Sequence, residues 1–442
     1  MYRLLALVPL LAVGCSTHAD RLSSIRAAYY SGHPTAATQK IDEVLVKAPE
    51  RDSDVLKLDK ATALLSEGKP AEAEALFREV RDKFDEKEGK DAREGVASLL
   101  LDDQQLAYSG EDYEKVLVRF YLSLCNLMRD GGDASAYALQ VNEKQQQIIA
   151  AGKGTDGKNP KEKYKLVPAG AYLHAALREE THANYDDVAR SLELVARWQP
   201  TFPTAKADLD RARTGRHSQP GHGVVYVFAM VGKGPFKEEK MEVAPTAALL
   251  VADRMLSAMG KQSLPPTIAP IKVPHVTRPF NTVATVSVGI DGKPAGTTAT
   301  LTDVGQMAAE QSDALYNETL ARAVVRRVVK KGVIYGAKEA IKTDQNQWTS
   351  LALNAVGVAW EATESADTRC WGLLPDKIQV LRVELPVGDH ELAVQPAGAN
   401  GQVLGVGETV KVNVADGKNT YVLATFPGYK PAGKVLTNRP VQ

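Results

Sequence analysis

The 442-residue chain holds 54 lysines and arginines against 54 aspartates and glutamates, so its formal net charge is zero. That balance excludes the basic surplus on which nucleic-acid binding rests, and no nucleic-acid partner is expected. Hydrophobic residues at 44% and charged residues at 24% fit a soluble globular chain long enough for two or three domains.

In chain order, the first feature is a short basic head at Arg3, then an apolar run over residues 4–13 broken by Pro9, then Gly14 and Cys15. The run is too short for a mature membrane-spanning helix, which needs about 20 residues, and it fits a secretory signal. The stretch Leu11-Ala12-Val13-Gly14-Cys15 resembles the lipobox of bacterial lipoproteins, with Ala12 where a leucine is usual. The resemblance implies a signal peptide over 1–14 and lipidation of Cys15, palmitate included. Ser16, a non-aspartate, resembles the pattern sorted to the outer membrane with the protein facing the periplasm. An ordinary signal peptide containing a cysteine is the alternative. Cys125 and Cys370, the other two cysteines, sit in apolar surroundings and are expected as buried free thiols, with a disulfide between them as the alternative.

Residues 21–214 show apolar positions at helical spacing. Gly32, Pro34, Ala37, Ile41 and Val44 are spaced like the second half of a tetratricopeptide (TPR) unit, and Gly68, Pro70, Ala73, Phe77 and Val80 repeat that spacing. Weaker copies read from Gly110, Gly132 and Asn184. Together they predict an α-solenoid of TPR-like helix pairs over 15–215, with an irregular helical bundle as the alternative. Residues 150–163 read as an exposed loop. Gly152, Gly157 and Lys158 match a phosphate-loop spacing there, but Asn159 stands where the magnesium-binding hydroxyl belongs, so no nucleotide is expected.

A composition break over 214–223 opens an αβ domain expected over 222–360. It contains a buried strand over 224–231, a loop at Pro235, Phe236 and Lys237, a helix over 245–260, and strands over 268–273 and 283–290. One long helix is expected from an N-cap at Thr302 or Asp303 to about residue 342, with a solvated basic face of Arg322, Arg326, Arg327, Lys330 and Lys331. An anionic lipid or polymer is the other use of that face. Residues 351–360 read as a buried connector. Strands over 378–385, 391–395, 403–414 and 420–426 predict an antiparallel β module over 361–430, packed on the preceding domain and ending in a frayed tail. The fold class is thus α+β and multidomain.

The lipobox, the segment 108–127, the strand region 223–235, the helix segment 321–331 and the signature Ala366, Asp367, Arg369, Trp371, Leu374 and Pro375 together resemble an uncharacterised family of bacterial lipoproteins with a TPR-like first half. The strands after 385 also resemble small surface β modules of the PEGA type. The family resemblance implies location and architecture, with no established enzyme activity and no cofactor.

Chemistry is sparse. No HExxH, no zinc-spaced Cys–His cluster and no GxSxG elbow occurs, and His174 with His182 is a weak metal signal. No catalytic, cofactor-binding or metal residue is assigned. Asp367 and Arg369, near Trp360 and Trp371, form either a loop lock or a ligand site. The function expected is a membrane-anchored envelope lipoprotein serving as a non-catalytic protein-interaction scaffold or regulator. The alternative is a cell-wall-glycan-binding protein or envelope enzyme with a cleft near Asp367, Arg369 and Trp371.

Overall fold

In the computed structural model, which describes residues 18–94, 106–152, 154, 157–260, 264, 270–341 and 365–441, the apolar run at 224–231 becomes β1 (His222–Val231), the middle strand of a five-stranded sheet. The order is β11 (Leu436–Thr437), β10 (Asn419–Phe426), β1, β7 (Lys377–Pro386), β6 (Ala299–Asp303). Side chains alternate between the faces of a strand. Val225, Val227, Ala229 and Val231 therefore point to one side, where they meet Val286, Val288, Leu392, Val394, Val412 and Val414. These belong to a four-stranded sheet ordered β5 (Lys293–Thr297), β4 (Thr285–Ile290), β8 (Gly388–Ala397), β9 (Glu408–Val414). Val224, Tyr226, Phe228 and Met230 point to the other side, into a core shared with the helices. A strand covered on both faces reads as continuously apolar, which is why β1 stands out in the sequence.

The helical layer comprises α1 (His18–Tyr30), α2 (Pro34–Lys47), α3 (Ser53–Glu67), α4 (Pro70–Glu94), α5 (Asp112–Leu127), α6 (Ala134–Ala150), α7 (Pro168–Glu179), α8 (Tyr185–Trp198) and α9 (Ala205–Arg213). Each packs on the next in sequence. Glu179, buried at the end of α7, accepts from Arg211 of α9 at 2.9 Å and from the Tyr226 hydroxyl of β1 at 3.2 Å, joining helices to sheet. A third, smaller core lies between α10 (Thr246–Ala258), α12 (Tyr316–Ile341) and the ribbon of β2 (Phe236–Glu242) with β3 (Ile271–Thr277).

The α+β class holds: among the described residues, helices fill the first half, and sheets with three further helices fill the second. Strands from either side of residue 361 share both sheets, since β1 pairs with β7 and β10, and β4 pairs with β8. The pairing is not purely antiparallel: β10 runs parallel to β1. The Asp416–Gly417 turn carries the chain from one sheet to the other instead of closing a hairpin. The strand expected over 403–414 begins only at Glu408, with Val403 making an isolated bridge to Ala397. Phe236 and Lys237, expected in a loop, open β2, a strand of a two-stranded ribbon. Asp291 and Gly292 both take positive φ and close the β4–β5 hairpin as their type predicts.

The long helix is two helices. Asp303 caps α11 (Val304–Ala314) by accepting from the Gln306 amide at 2.7 Å, and the chain breaks at Leu315 before α12. The break follows from packing: Val304, Met307 and Ala308 of α11 join the main core, whereas Leu320, Ala321 and Val324 of α12 join the smaller one. The basic face is only partly solvated. Arg322 is exposed, but Arg327 is buried and donates to the Pro270 carbonyl at 2.8 Å. The side chains of Lys330 and Lys331, the connector at 351–360 and Cys15 lie outside the described residues.

The tail is not frayed. Ala432 donates to Thr425, Asn438 to Tyr421 and Val406 to Tyr429 through backbone amides, and Lys434 donates to the Ser66 carbonyl of α3 at 2.8 Å. The tail lies against the turn glycines: Pro431 beside Gly32, and Lys434 with Leu436 beside Gly68. Buried Ala432 and Val435 anchor it, so its polar composition hides a pairing role.

Candidate functional site: a locked loop beside a charged groove

Residues 366–374, which lead into β7, lie against the helical layer. Asp367 and Arg369 form a two-bond pair at 2.9 and 2.8 Å. The guanidinium also donates to the carbonyls of Leu106 at 2.9 Å and Arg51 at 3.2 Å, and reaches Asp52 at 3.3 Å. Burial alone would push the Asp367 carboxyl up; the Arg369 guanidinium outweighs it and holds the group below its ordinary value. The Trp371 indole is wholly buried, with ring centroids 5.4 Å from Phe77 and 5.0 Å from Tyr121, and its nitrogen donates to Thr62 Oγ1 at 2.8 Å.

Two buried carboxyls hold the loop backbone. Glu114 of α5 accepts from the Trp371 amide at 2.7 Å, and Asp59 of α3 accepts from the Leu373 amide at 2.8 Å. Burial pushes Glu114 up to about 7, despite the Trp371 bond, and Asp59 up to about 8. Tyr30 closes the loop by donating to the Gly372 carbonyl at 2.9 Å. The groups flagged in the sequence are thus brought together, and their polar atoms are spent on the fold.

Beside this lock, α4, α5 and α6 enclose a groove of about 830 Å³. Its floor is a ladder of alternating charge. Arg119 pairs with Asp85 at 2.6 Å, Asp85 with Lys144 at 2.8 Å, Lys144 with Glu88, Glu88 with Lys115 at 2.9 Å, and Lys115 with Asp112 at 3.9 Å. Asp112 then pairs with Lys161 at 2.7 Å. The cations lie deep, Arg119 and Lys144 each 6% exposed, while Asp85 is 41% and Glu88 33% exposed. Burial would raise both acids; the neighbouring cations overcome it and hold them below their ordinary values. The groove mouth therefore stays ionised at neutral pH. Through Asp112, Ala151 and Lys161 it adjoins a second cavity of about 390 Å³ between α5, the β2–β3 ribbon, α11 and α12.

No protein-family model, no curated protein and no solved structure matches this chain.

The assignment of any chemistry therefore rests on geometry. Among the described residues no group of three or more metal-ligating side chains occurs. His174 is buried against Ser191 at 3.1 Å, whereas His182 bonds the Gly417 carbonyl and meets the His217 ring edge-on at 5.0 Å, so the weak metal signal of His174 with His182 resolves into separate partners. Cys125 and Cys370 are free and buried, and burial pushes the Cys370 thiol up to about 12, which makes it inert. The glycines of the phosphate-loop spacing follow α6 and precede a single 3-10 turn at Pro160–Lys163, without the strand that motif needs.

The ladder, Asp59 and Glu114 were not singled out by sequence. Asp59 had a usable signal: it lies one turn after Val55 and Leu56 and one turn before Thr62 and Ala63, on a mostly apolar face. A lone carboxylate on an apolar helix face is a buried group with an assigned task. The ladder had none, because its rungs come from three helices and charged residues are ordinary on helices.

Proposed function

We propose that this chain is an envelope lipoprotein, held at a membrane by lipid on Cys15, whose helical layer is a non-catalytic protein-interaction scaffold or regulator. The observation that carries the reading is the sequential packing of α1–α9 with an open, ionised groove on α4–α6. Its TPR-like character draws support from the first two repeats. Gly32 and Gly68 both take positive φ at the turn, Ala37 and Ala73 are both wholly buried, and so are Ile41 and Phe77. The third copy is out of phase: Gly110 opens α5, the first helix of its pair, and is glycine because a Cβ would lie 2.5 Å from the Phe84 ring.

The anchor draws on the leader sequence and on the finding that no described helix is long and apolar enough to cross a membrane. Ser16 supports an outer-membrane address facing the periplasm. The partner is a protein or peptide of the envelope; zero net charge speaks against nucleic acid. A glycan-binding or enzymatic role at Asp367, Arg369 and Trp371 has little to work with, since those groups bond inward.

Two measurements test the reading. Wild-type protein should incorporate labelled palmitate and sediment with membranes, and Cys15→Ala should do neither; a variant still membrane-bound and cut before residue 15 refutes the anchor. Crosslinked envelopes should yield a stoichiometric protein partner that is lost on charge reversal in the groove. Failure to recover one across conditions removes the scaffold role.

A further inference from the structure

The smaller cavity has its own chemistry. Most of its charged lining is committed: Lys237 to Glu111, Lys161 to Asp112 at 2.7 Å, and the Tyr164 hydroxyl to Asp112 at 3.0 Å. Two lining groups are not. Gln311, on α11, is only 8% exposed, yet its side-chain oxygen has no hydrogen-bond partner among the described residues. Native interiors hold few such groups, because an unpaired buried amide is costly. Arg322, on α12, is the one lining cation without an ion pair among the described residues. The break at Leu315 brings these two groups to the cavity from different helices.

An amide side chain both donates and accepts, so its natural complement is another amide. A guanidinium takes a carboxylate through two parallel bonds. The rest of the wall mixes apolar groups, including Tyr113, Val276, Tyr316 and Leu320, with polar Ser312, Glu318 and Thr319. A volume of about 390 Å³ falls within the range of small-ligand pockets, and near its lower end.

We propose that this cavity binds the C-terminal end of a short peptide: Gln311 pairs with a backbone amide of the ligand, Arg322 takes its terminal carboxylate, and the tyrosines cover small apolar side chains. An inorganic anion would satisfy Arg322 and leave Gln311 unpaired, so an amide-bearing ligand is favoured over phosphate. The site does not depend on the scaffold reading, because Gln311 and Arg322 line this cavity and not the adjoining groove where a protein partner would lie.

The test uses the full chain and two probes, trialanine and trialanine amide, followed by calorimetry and by amide chemical shifts. Trialanine should bind saturably at millimolar concentration, and removing its terminal charge should weaken it roughly tenfold. Arg322→Met should weaken trialanine by the same factor and leave trialanine amide unchanged. Gln311→Leu should weaken both probes while preserving or raising the melting temperature, since it removes an unpaired polar group. No saturable binding of trialanine, equal binding of acid and amide, or indifference to Arg322→Met each overturns the assignment. Inorganic phosphate displacing trialanine with no effect of Gln311→Leu would also overturn it, by reducing the site to an anion contact.

Discussion

The indole nitrogen of Trp371 donates to the Thr62 hydroxyl at 2.8 Å, tying the loop that feeds β7 to the middle of α3. The ring also fills the space between Phe77 and Tyr121. Replacing Trp371 with alanine removes a wholly buried aromatic at the seam of two layers, and should cost about 3–5 kcal/mol. Trp371→Phe keeps much of the packing and loses the donor, so it should cost less. Urea unfolding followed at equilibrium measures both, and equal losses would show that the lost donor, not the packing of the ring, sets the cost.

The tail makes a second seam. Gly433 has φ +85, and a Cβ there would stand 2.0 Å from the Ser66 carbonyl oxygen. Gly433→Ala therefore meets both backbone strain and a collision, and should cost more than about 1 kcal/mol. The loss should be local first. Amide exchange should quicken at Lys434, whose bond to Ser66 is broken, and protease should cut near Lys430 before the helices open. Uniform acceleration across the chain would mean that the tail is not a separate clasp.

Asp59 and Glu114 set the alkaline side of the stability profile. Burial raises them to about 8 and about 7, whereas unfolded carboxyls titrate near about 4. Between about pH 4 and 8 the folded chain therefore holds protons that the unfolded chain has released, so their contribution is fullest below about pH 4 and falls as pH rises through that window. Asp85, Glu88 and Asp367 work in the opposite direction. Held below their ordinary values, they stabilise above about pH 4 and lose that effect on acidification. Asp59→Asn keeps an acceptor for Leu373 and has no charge to bury. Its melting temperature relative to wild type should rise from about pH 5 to about pH 8 and level off above that. Parallel profiles would show that Asp59 does not titrate in this range.

What the sequence revealed follows from distance along the chain. The strand at 224–231, the caps at Asp303 and Asp291-Gly292, and the paired repeats at Gly32 and Gly68 are local signals, legible because residues a few positions apart decide them. The break at Leu315 was hidden because periodicity continues through it; only the choice of two cores separates α11 from α12. The parallel pairing of β10 with β1 was hidden because Asp416-Gly417 resembles a hairpin turn, and nothing nearby records that the next strand joins another sheet. Asp367, Arg369 and Trp371 stood out by composition, but whether they faced a ligand or the core depended on Asp52, Thr62 and Glu114, which lie far away in sequence.

The charge ladder separates stability from recognition. Asp85 is the partner of both Arg119 and Lys144, so Asp85→Ala leaves two deep cations short of charge. Breaking a fully buried pair costs about 3–5 kcal/mol. Asp85 is 41% exposed and water can take its place, so about 1–3 kcal/mol is expected here. Glu143 lines the same groove and is exposed, so Glu143→Lys should stay within about 0.5 kcal/mol while reversing charge at the mouth. If the groove recruits a partner electrostatically, Glu143→Lys should slow association and flatten its dependence on salt, with melting unchanged. A variant that melts like wild type and associates at the wild-type rate would move recognition away from this groove, and Asp85 would then be a structural residue alone.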